Sequence, residues 1–237
     1  MTSPASRRRP SNGSERRTAD ALERGELVFL RRPVAEDCDE WVSLRESCLD
    51  HLLRWEPRQN VKSERDRWNS FFSTANTEDR QRFLICANDT GVIVGYVGLN
   101  DIRRGVMQSC NAGYWIAERY TGKGYMTEGF RLAVRHAFRT LNLHRVEAGI
   151  QPHNAPSLAV VKKLGFRYEG TALRLLEING AWADHERWAI TAEEWIDNSS
   201  RQSAPRTRDR TSVLAPPHTS TKARAPHNPN SRKPRGA

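Results

Sequence analysis

No stretch of the 237 residues approaches the roughly 20 consecutive apolar side chains that a bilayer core demands, so no membrane-spanning helix is expected. The opening residues, Met1 to Pro10, are basic but have no apolar run behind them, and no secretory signal is expected there. Cysteine is sparse. Cys38, Cys48, Cys86 and Cys110 show no C-x-x-C spacing, which reads as reduced thiols in a cytoplasmic protein rather than a metal or redox pair. The seven histidines are scattered, and the sequence assigns no metal.

Large apolar residues are also nearly missing from both ends. Residues 1–25 carry six Arg against three acids, and residues 198–237 carry nine Lys or Arg against Asp209 alone, whereas the span between them is close to neutral. Segments of this kind bury too little surface to offset the entropy of ordering, so both are expected to be disordered basic tails. The remainder, residues 26–197, is the right length for one domain with one core.

Within that span the patterning alternates between strand and helix. Glu26 to Arg31 reads as a strand, and from Val34 the positions Cys38, Trp41, Val42, Cys48, Leu49 and Leu52 fall on one helical stripe. Lys62 to Ser73 is a second helix, with Trp68, Phe71 and Phe72 on one face. Arg82 to Ala87 and Val92 to Leu99 flank the turn-rich Asn88-Asp-Thr-Gly91, a hairpin, and a third antiparallel run ends at Ile116. Phe130, Ala133, Val134, Ala137, Phe138 and Leu141 mark the clearest amphipathic helix. His144 to Ile150 follows as a strand, then a short helix from Pro156 to Leu164 with Gly165 past its end. Two final strands meet at Asn179-Gly180, a hairpin signal. The expected order is β-α-α-β-β-β-α-β-α-β-β.

Chemistry concentrates in one loop. Arg119-x-x-Gly122-x-Gly124 lies between a strand and the start of the amphipathic helix, where unpaired backbone N–H groups and the helix dipole favour an anion. Glycines remove the Cβ atoms that would hold a phosphate away, and Arg119 and Lys123 add positive charge, so the site suits a pyrophosphate. A P-loop requires G-x-x-x-x-G-K-[ST], and a Rossmann fingerprint requires a third glycine in a parallel βαβ unit. Position 127 is Thr, and the preceding strands read antiparallel.

The span from 26 to 195 resembles the GNAT superfamily, and within it the RimJ/RimL group of N-terminal acetyltransferases. The [RQ]-x-x-G-x-[GA] loop of that family reads here Arg119-Tyr-Thr-Gly122-Lys-Gly124, followed by Tyr125-Met-Thr-Glu128. An Asn just ahead of a helix that ends in Leu-Gly-Phe appears as Asn154-Ala-Pro-Ser157 and Leu164-Gly165-Phe166. Trp55-Glu56-Pro57, Ile102-Arg-Arg-Gly105 and Asp184-His185 also resemble the group. The resemblance implies an α+β fold, a central mixed and mostly antiparallel twisted sheet flanked by helices. It implies acetyl transfer from acetyl-CoA to an amine by direct attack, with no metal. The coenzyme would be held by Arg119, Thr121, Gly122, Lys123, Gly124, Tyr125, Met126, Thr127 and Asn154, and its acetyl carbonyl by amides near Tyr114, Trp115 and Ile116.

The catalytic groups are less clear. The Tyr that relatives place four residues before the Gly of Leu-Gly-Phe is Val161 here, so Ser157 is the candidate to hydrogen-bond the thiol, against a reading as a helix-cap serine. The base position of RimL-like proteins falls on Leu176; Glu147 and Glu177 are substitutes by proximity, and Asp184 with His185 could orient one another near the acceptor. The acceptor is expected to be a protein N-terminus of the ribosomal-protein type. The alternatives are a small amine such as an amino acid, polyamine or aminoglycoside, or a ribosome- or RNA-binding module with a vestigial coenzyme site, using the basic C-terminal tail. That tail has no aromatic residue for base stacking, which ranks binding as accessory. The expected assembly is a monomer or homodimer without a membrane partner.

Overall fold

A computed structural model of the chain describes residues 20–57 and 61–195. The expected C-terminal tail lies outside them. The expected boundary at residue 25 does not hold, because β1 (Glu23–Arg24) pairs antiparallel with β2 (Val28–Arg31). A composition rule misses this segment: its order comes from backbone pairing and from a distant carboxylate described below.

A 3₁₀ turn at Ala35–Asp37 leads into α1 (Cys38–Glu46). The single stripe expected from Val34 onward is broken after Ser47, and α2 (Leu49–Leu53) follows as a separate short helix. The break has a local cause. Ser47 Oγ and Cys48 Sγ both donate to the Leu44 carbonyl, at 2.7 and 3.3 Å, and such bonds compete with the helical ladder. Helix α3 (Glu64–Ser73) begins at Ser63, whose hydroxyl accepts the Asp66 N–H. Trp68 and Phe71 are buried as expected, but Phe72 is 38 % exposed and only lies against Trp68.

The sheet then grows through β3 (Asn76–Thr77), β4 (Arg80–Ala87), β5 (Ile93–Arg103) and β6 (Ser109–Ile116). Helix α4 (Tyr125–Arg139), β7 (Arg145–Ile150), α5 (Ala155–Lys163), β8 (Arg167–Ile178) and β9 (Ala181–Thr191) complete the described chain. Its strand order is β1-β2-β4-β5-β6-β7-β9-β8, with β3 beside β4, and every neighbour is antiparallel except β6 and β7. The β8–β9 turn forms where Asn179-Gly180 predicts it, both residues having positive φ.

Helices cover both faces. On one, Val28, Leu30, Phe83, Ile85 and Val97 pack with Phe130, Ala133, Val134 and Ala137 of α4 and Val161 of α5. On the other, Phe29, Leu84, Cys86 and Trp115 pack with Trp41 and Leu44 of α1 and Trp68 and Phe71 of α3. Alternate residues of one strand thus feed opposite cores, which is why β2 is buried at every position.

Candidate functional site

The parallel pair at the centre of the sheet is short. Strand β6 meets β7 only at Ser109–Arg145, Cys110–Val146 and Asn111–Glu147, and beyond these the two strands part. The backbone groups left facing the opening follow from the alternation of an antiparallel ladder. Ala117 N–H donates to Val94 O at 3.0 Å, so in the same register Trp115 bonds Tyr96 and Gly113 bonds Gly98. The N–H groups of Tyr114 and Ile116 therefore point into the gap. Of the three residues expected to hold an acetyl carbonyl, Trp115 is corrected: its amide belongs to β5, and its indole is buried against Trp41.

The glycine loop continues from that strand. A 3₁₀ turn at Glu118–Tyr120 is closed by Thr121, whose N–H and hydroxyl both donate to the Glu118 carbonyl, so this side chain shapes the loop rather than reaching outward. Gly122 and Gly124 have φ of 73° and 85°. A Cβ on Gly122 would meet nothing within 4 Å, so its surroundings are open. Gly124 is the N-cap of α4, and the first helical N–H bond returning to it comes from Glu128. The N–H groups of Tyr125, Met126 and Thr127 are thus the helix's orphan donors. Met126 offers nothing else, since its side chain is buried in the core. Arg119 and Lys123 flank Tyr120 at 5.0 and 5.6 Å from its ring, exposed and cationic. This loop fits a pyrophosphate.

One residue of this helix start was missed as a structural element. The Glu128 carboxylate, 6 % exposed, accepts the N–H groups of Glu26, Leu27 and Val28 at 2.9, 2.6 and 2.8 Å, and also pairs with Arg131. It pins the β1–β2 hairpin to α4. No local pattern could reveal a partner about a hundred residues away.

Helix α5, which packs in the same core as α4, borders the opening next. Asn154 is its N-cap and accepts the Ser157 N–H at 3.2 Å, so the capping role considered for Ser157 belongs to Asn154. Ser157 is half-buried on the wall of the gap, and the Tyr114 hydroxyl reaches its carbonyl at 3.5 Å. Burial pushes the Tyr114 phenol well above its ordinary range. Val161, where relatives carry Tyr, is fully buried core.

The carboxylates expected as bases are otherwise engaged. Glu147 faces the gap, but Arg145 and Arg187 donate to it at 2.7 and 2.8 Å. Partial burial alone would raise its pKa; the two guanidinium bonds outweigh that and hold the carboxyl below its ordinary value, which makes it a poor base. Glu177 is exposed, and the gap is lined instead by its neighbours Leu175, Leu176 and Ile178. Asp184 accepts the Arg174 N–H at 2.7 Å across an irregularity in β8, where Arg174 has φ 51°. Asp184 and His185 do not orient one another: adjacent strand residues face opposite sides, and His185 Nδ1 lies 2.9 Å from the Ala183 carbonyl.

These groups share a cavity of about 730 Å³ that runs from Ser157 and Asn154 through the β6–β7 gap to α1, α3 and the Trp55-Glu56-Pro57 segment. That segment is tied down twice, by a bridge from Pro57 to Ile178 and by Arg45, which is 1 % exposed. Arg45 donates to both Glu56 oxygens and to Glu64, and stands over the Trp41 and Trp115 rings. The network was invisible in the sequence. Charges on the wall are Arg45, Arg67, Arg82, Arg103 and Arg187 against Glu56, Asp101 and Glu147, an excess of cations.

Comparison with known proteins places this geometry. Residues 28–167 match the model of the acetyltransferase (GNAT) domain. The chain is similar to a probable N-acetyltransferase, YjcK, of Bacillus subtilis, 33% identical over 172 residues that cover 70% of this chain and 95% of that protein. It is also similar to the ribosomal protein uS5-alanine N-acetyltransferase of Escherichia coli, 33% identical over 151 residues, 61% of this chain and 78% of that one. Among solved structures, Mycobacterium smegmatis RimJ in complex with CoA-disulfide superposes with a TM-score of 0.67 and 35% identity, over 70% of this chain and 83% of that one. With a divided parallel pair, a glycine loop at a helix start and these relatives, the chain belongs to the GNAT acetyltransferase family and is an N-acetyltransferase.

Proposed function

We propose that the protein moves the acetyl group of acetyl-CoA to the N-terminal α-amine of a protein substrate in the cytoplasm. The coenzyme pyrophosphate sits on the N–H groups of Tyr125, Met126 and Thr127, beside Gly122, Gly124, Arg119 and Lys123, and the acyl arm enters the β6–β7 gap. There the Tyr114 and Ile116 N–H groups receive the charge that develops on the carbonyl oxygen. Holding the amine in line with the thioester supplies much of the acceleration. Ser157, on the α5 side, hydrogen-bonds the departing sulfur.

The cation excess on the cavity wall carries the choice of acceptor. A polyamine bears several positive charges and needs several carboxylates free to receive them, whereas Glu56 and Glu147 already hold Arg45 and the Arg145–Arg187 pair, which leaves Asp101 alone. A peptide terminus brings a single amine and neutral backbone groups. It also matches the substrate in the name of the Escherichia coli relative, a ribosomal-protein alanine.

The test is release of free thiol from acetyl-CoA with a panel of peptides beginning in Ala, Ser, Thr, Gly and Met, set against spermidine and lysine. Peptide turnover with kcat/KM at least tenfold above any small amine is expected. Preference for spermidine would replace this reading with the polyamine one.

A further inference from the structure

We propose that His185 is the general base that takes the proton from the acceptor amine. This rests on the acetyltransferase reading above and supplies the group that every carboxylate considered there fails to provide. Two histidines are buried among the described residues. His136 has polar neighbours at both ring nitrogens, with Nε2 hydrogen-bonded at 3.1 Å to Gln81 Oε1 and Nδ1 3.7 Å from a Glu23 oxygen.

His185 differs. It is 3 % exposed, yet it is one of the residues that line the cavity. Its Nδ1 lies 2.9 Å from the Ala183 carbonyl, which can only accept, so in the neutral ring Nδ1 carries the hydrogen and Nε2 carries the lone pair. Nε2 has no partner among the described residues. Gly149, on the neighbouring strand, lies beside the ring with no side chain of its own; a Cβ built there would be 3.9 Å from His185 Cβ and Cδ2 and from Leu175 Cδ2.

Two of the three acids on the same wall are held by guanidinium groups. Glu56 is bound bidentately by Arg45 and Glu147 by Arg145 and Arg187, whereas Asp101 is exposed and takes one bond from the neutral Asn111. The imidazole offers a buried base on this wall whose lone pair has no partner among the described residues. It comes from β9, while Ser157 comes from α5, so a base and a hydrogen-bond donor to sulfur belong to different walls of the cavity that holds the gap.

The step balances without any further reagent. Nε2 accepts one proton from the bound ammonium, leaving a free amine whose nitrogen pair forms the bond to the acyl carbon. The carbon–sulfur bond breaks with its electron pair on sulfur, and the thiolate takes the second amine proton as the amide forms. The imidazolium then returns its proton to solvent through the cavity.

The full chain carrying H185Q or H185A tests this. The acetyl-CoA dissociation constant of both variants and the melting temperature of H185Q should stay near those of the parent, H185A should melt lower because it empties a buried site, and kcat on the best peptide should fall about a hundredfold or more in both. Added imidazole should restore part of the H185A loss in proportion to its free-base fraction as pH is varied; a packing role would give recovery that does not follow that fraction. Every comparison is repeated with spermidine, so that failure of the peptide reading is seen separately from failure of His185. Parental turnover by H185Q on whichever acceptor is used would overturn the proposal. Nitrogen chemical shifts of His185 decide it even if a variant does not fold: hydrogen on Nδ1 and a lone pair on Nε2 are expected, and the opposite tautomer would refute the assignment.

Discussion

Ser157 and Glu128 show how differently two polar residues near one site can act. Asn154 supplies the cap of α5, so removing the Ser157 hydroxyl should alter stability by no more than about 0.5 kcal/mol. S157A is expected to keep its affinity for acetyl-CoA and to lose roughly ten- to a thousandfold in kcat, read from saturating thiol-release kinetics. Unchanged turnover would make Ser157 a wall residue only. Glu128 should behave in the reverse way. E128A strands three backbone N–H groups with no acceptor, which at roughly 1 to 3 kcal/mol each should cost on the order of 3 kcal/mol or more and appear as a large drop in melting temperature. Ser157 was legible because its spacing from Asn154 and Leu164 is a local pattern. Glu128 was read only as part of a motif, since its role depends on a hairpin brought to it by folding.

The glycine loop and the strands around it are where local sequence and function coincide. Gly122 needs a positive φ and has empty space where its Cβ would be, so a side chain there would occupy the approach to the orphan N–H groups of α4. G122V is expected to weaken acetyl-CoA binding at least tenfold in calorimetric titration; unchanged affinity in a folded variant would move the pyrophosphate elsewhere. G124V carries the added strain of a contact with Leu27, 3.3 Å from its Cβ, and should lower the melting temperature as well. The hairpin at Asn179-Gly180 and the α5 helix between Asn154 and Gly165 form where the sequence places them, because turn and cap chemistry acts over a few residues. The break between α1 and α2 was missed because the apolar stripe continues past it; what ends the helix is the pair of side-chain bonds to Leu44.

At the scale of the whole molecule, the far edge of the sheet is laced by ion pairs. Arg145 bonds both Glu147 on its own strand and Glu169 on β8, and Arg167 also pairs with Glu169. Hydrogen bonds from Arg145, and then from Arg167, outweigh a small burial effect and hold the Glu169 carboxyl at about 2. A depressed carboxylate stabilises the fold fully above its unfolded pKa, roughly 4.3, and that stabilisation is lost as pH falls toward 2. The pair is partly exposed, so E169Q should cost about 1 kcal/mol near pH 7, seen as a melting shift of a few degrees, and the difference from the parent should shrink steadily below pH 4. A larger difference at pH 3 than at pH 7 would contradict this sign. The basic segment 198–237 is expected to be separable from catalysis. Its deletion should leave peptide turnover and melting temperature nearly unchanged, while any RNA or ribosome association should weaken, most visibly at low salt. Lost turnover would show that the domain extends into it.

The residues alone carry the order of the main elements, short of β1, β3 and the α1–α2 break, together with the glycine loop at a helix start, the Asn-capped helix and the family to which the chain belongs. Each is a matter of periodicity or short spacing, and each is set by backbone geometry within a few residues. Only the tertiary structure decided which polar groups are free to act. Glu147 became a poor base because Arg187 arrives from another strand, Trp115 lost its place because its amide faces β5, and Glu128 turned into an anchor. His185 has its Nδ1 held by the Ala183 carbonyl, which leaves the lone pair on Nε2. Whether a side chain is paired or free depends on neighbours distant in the chain, and no local pattern records them.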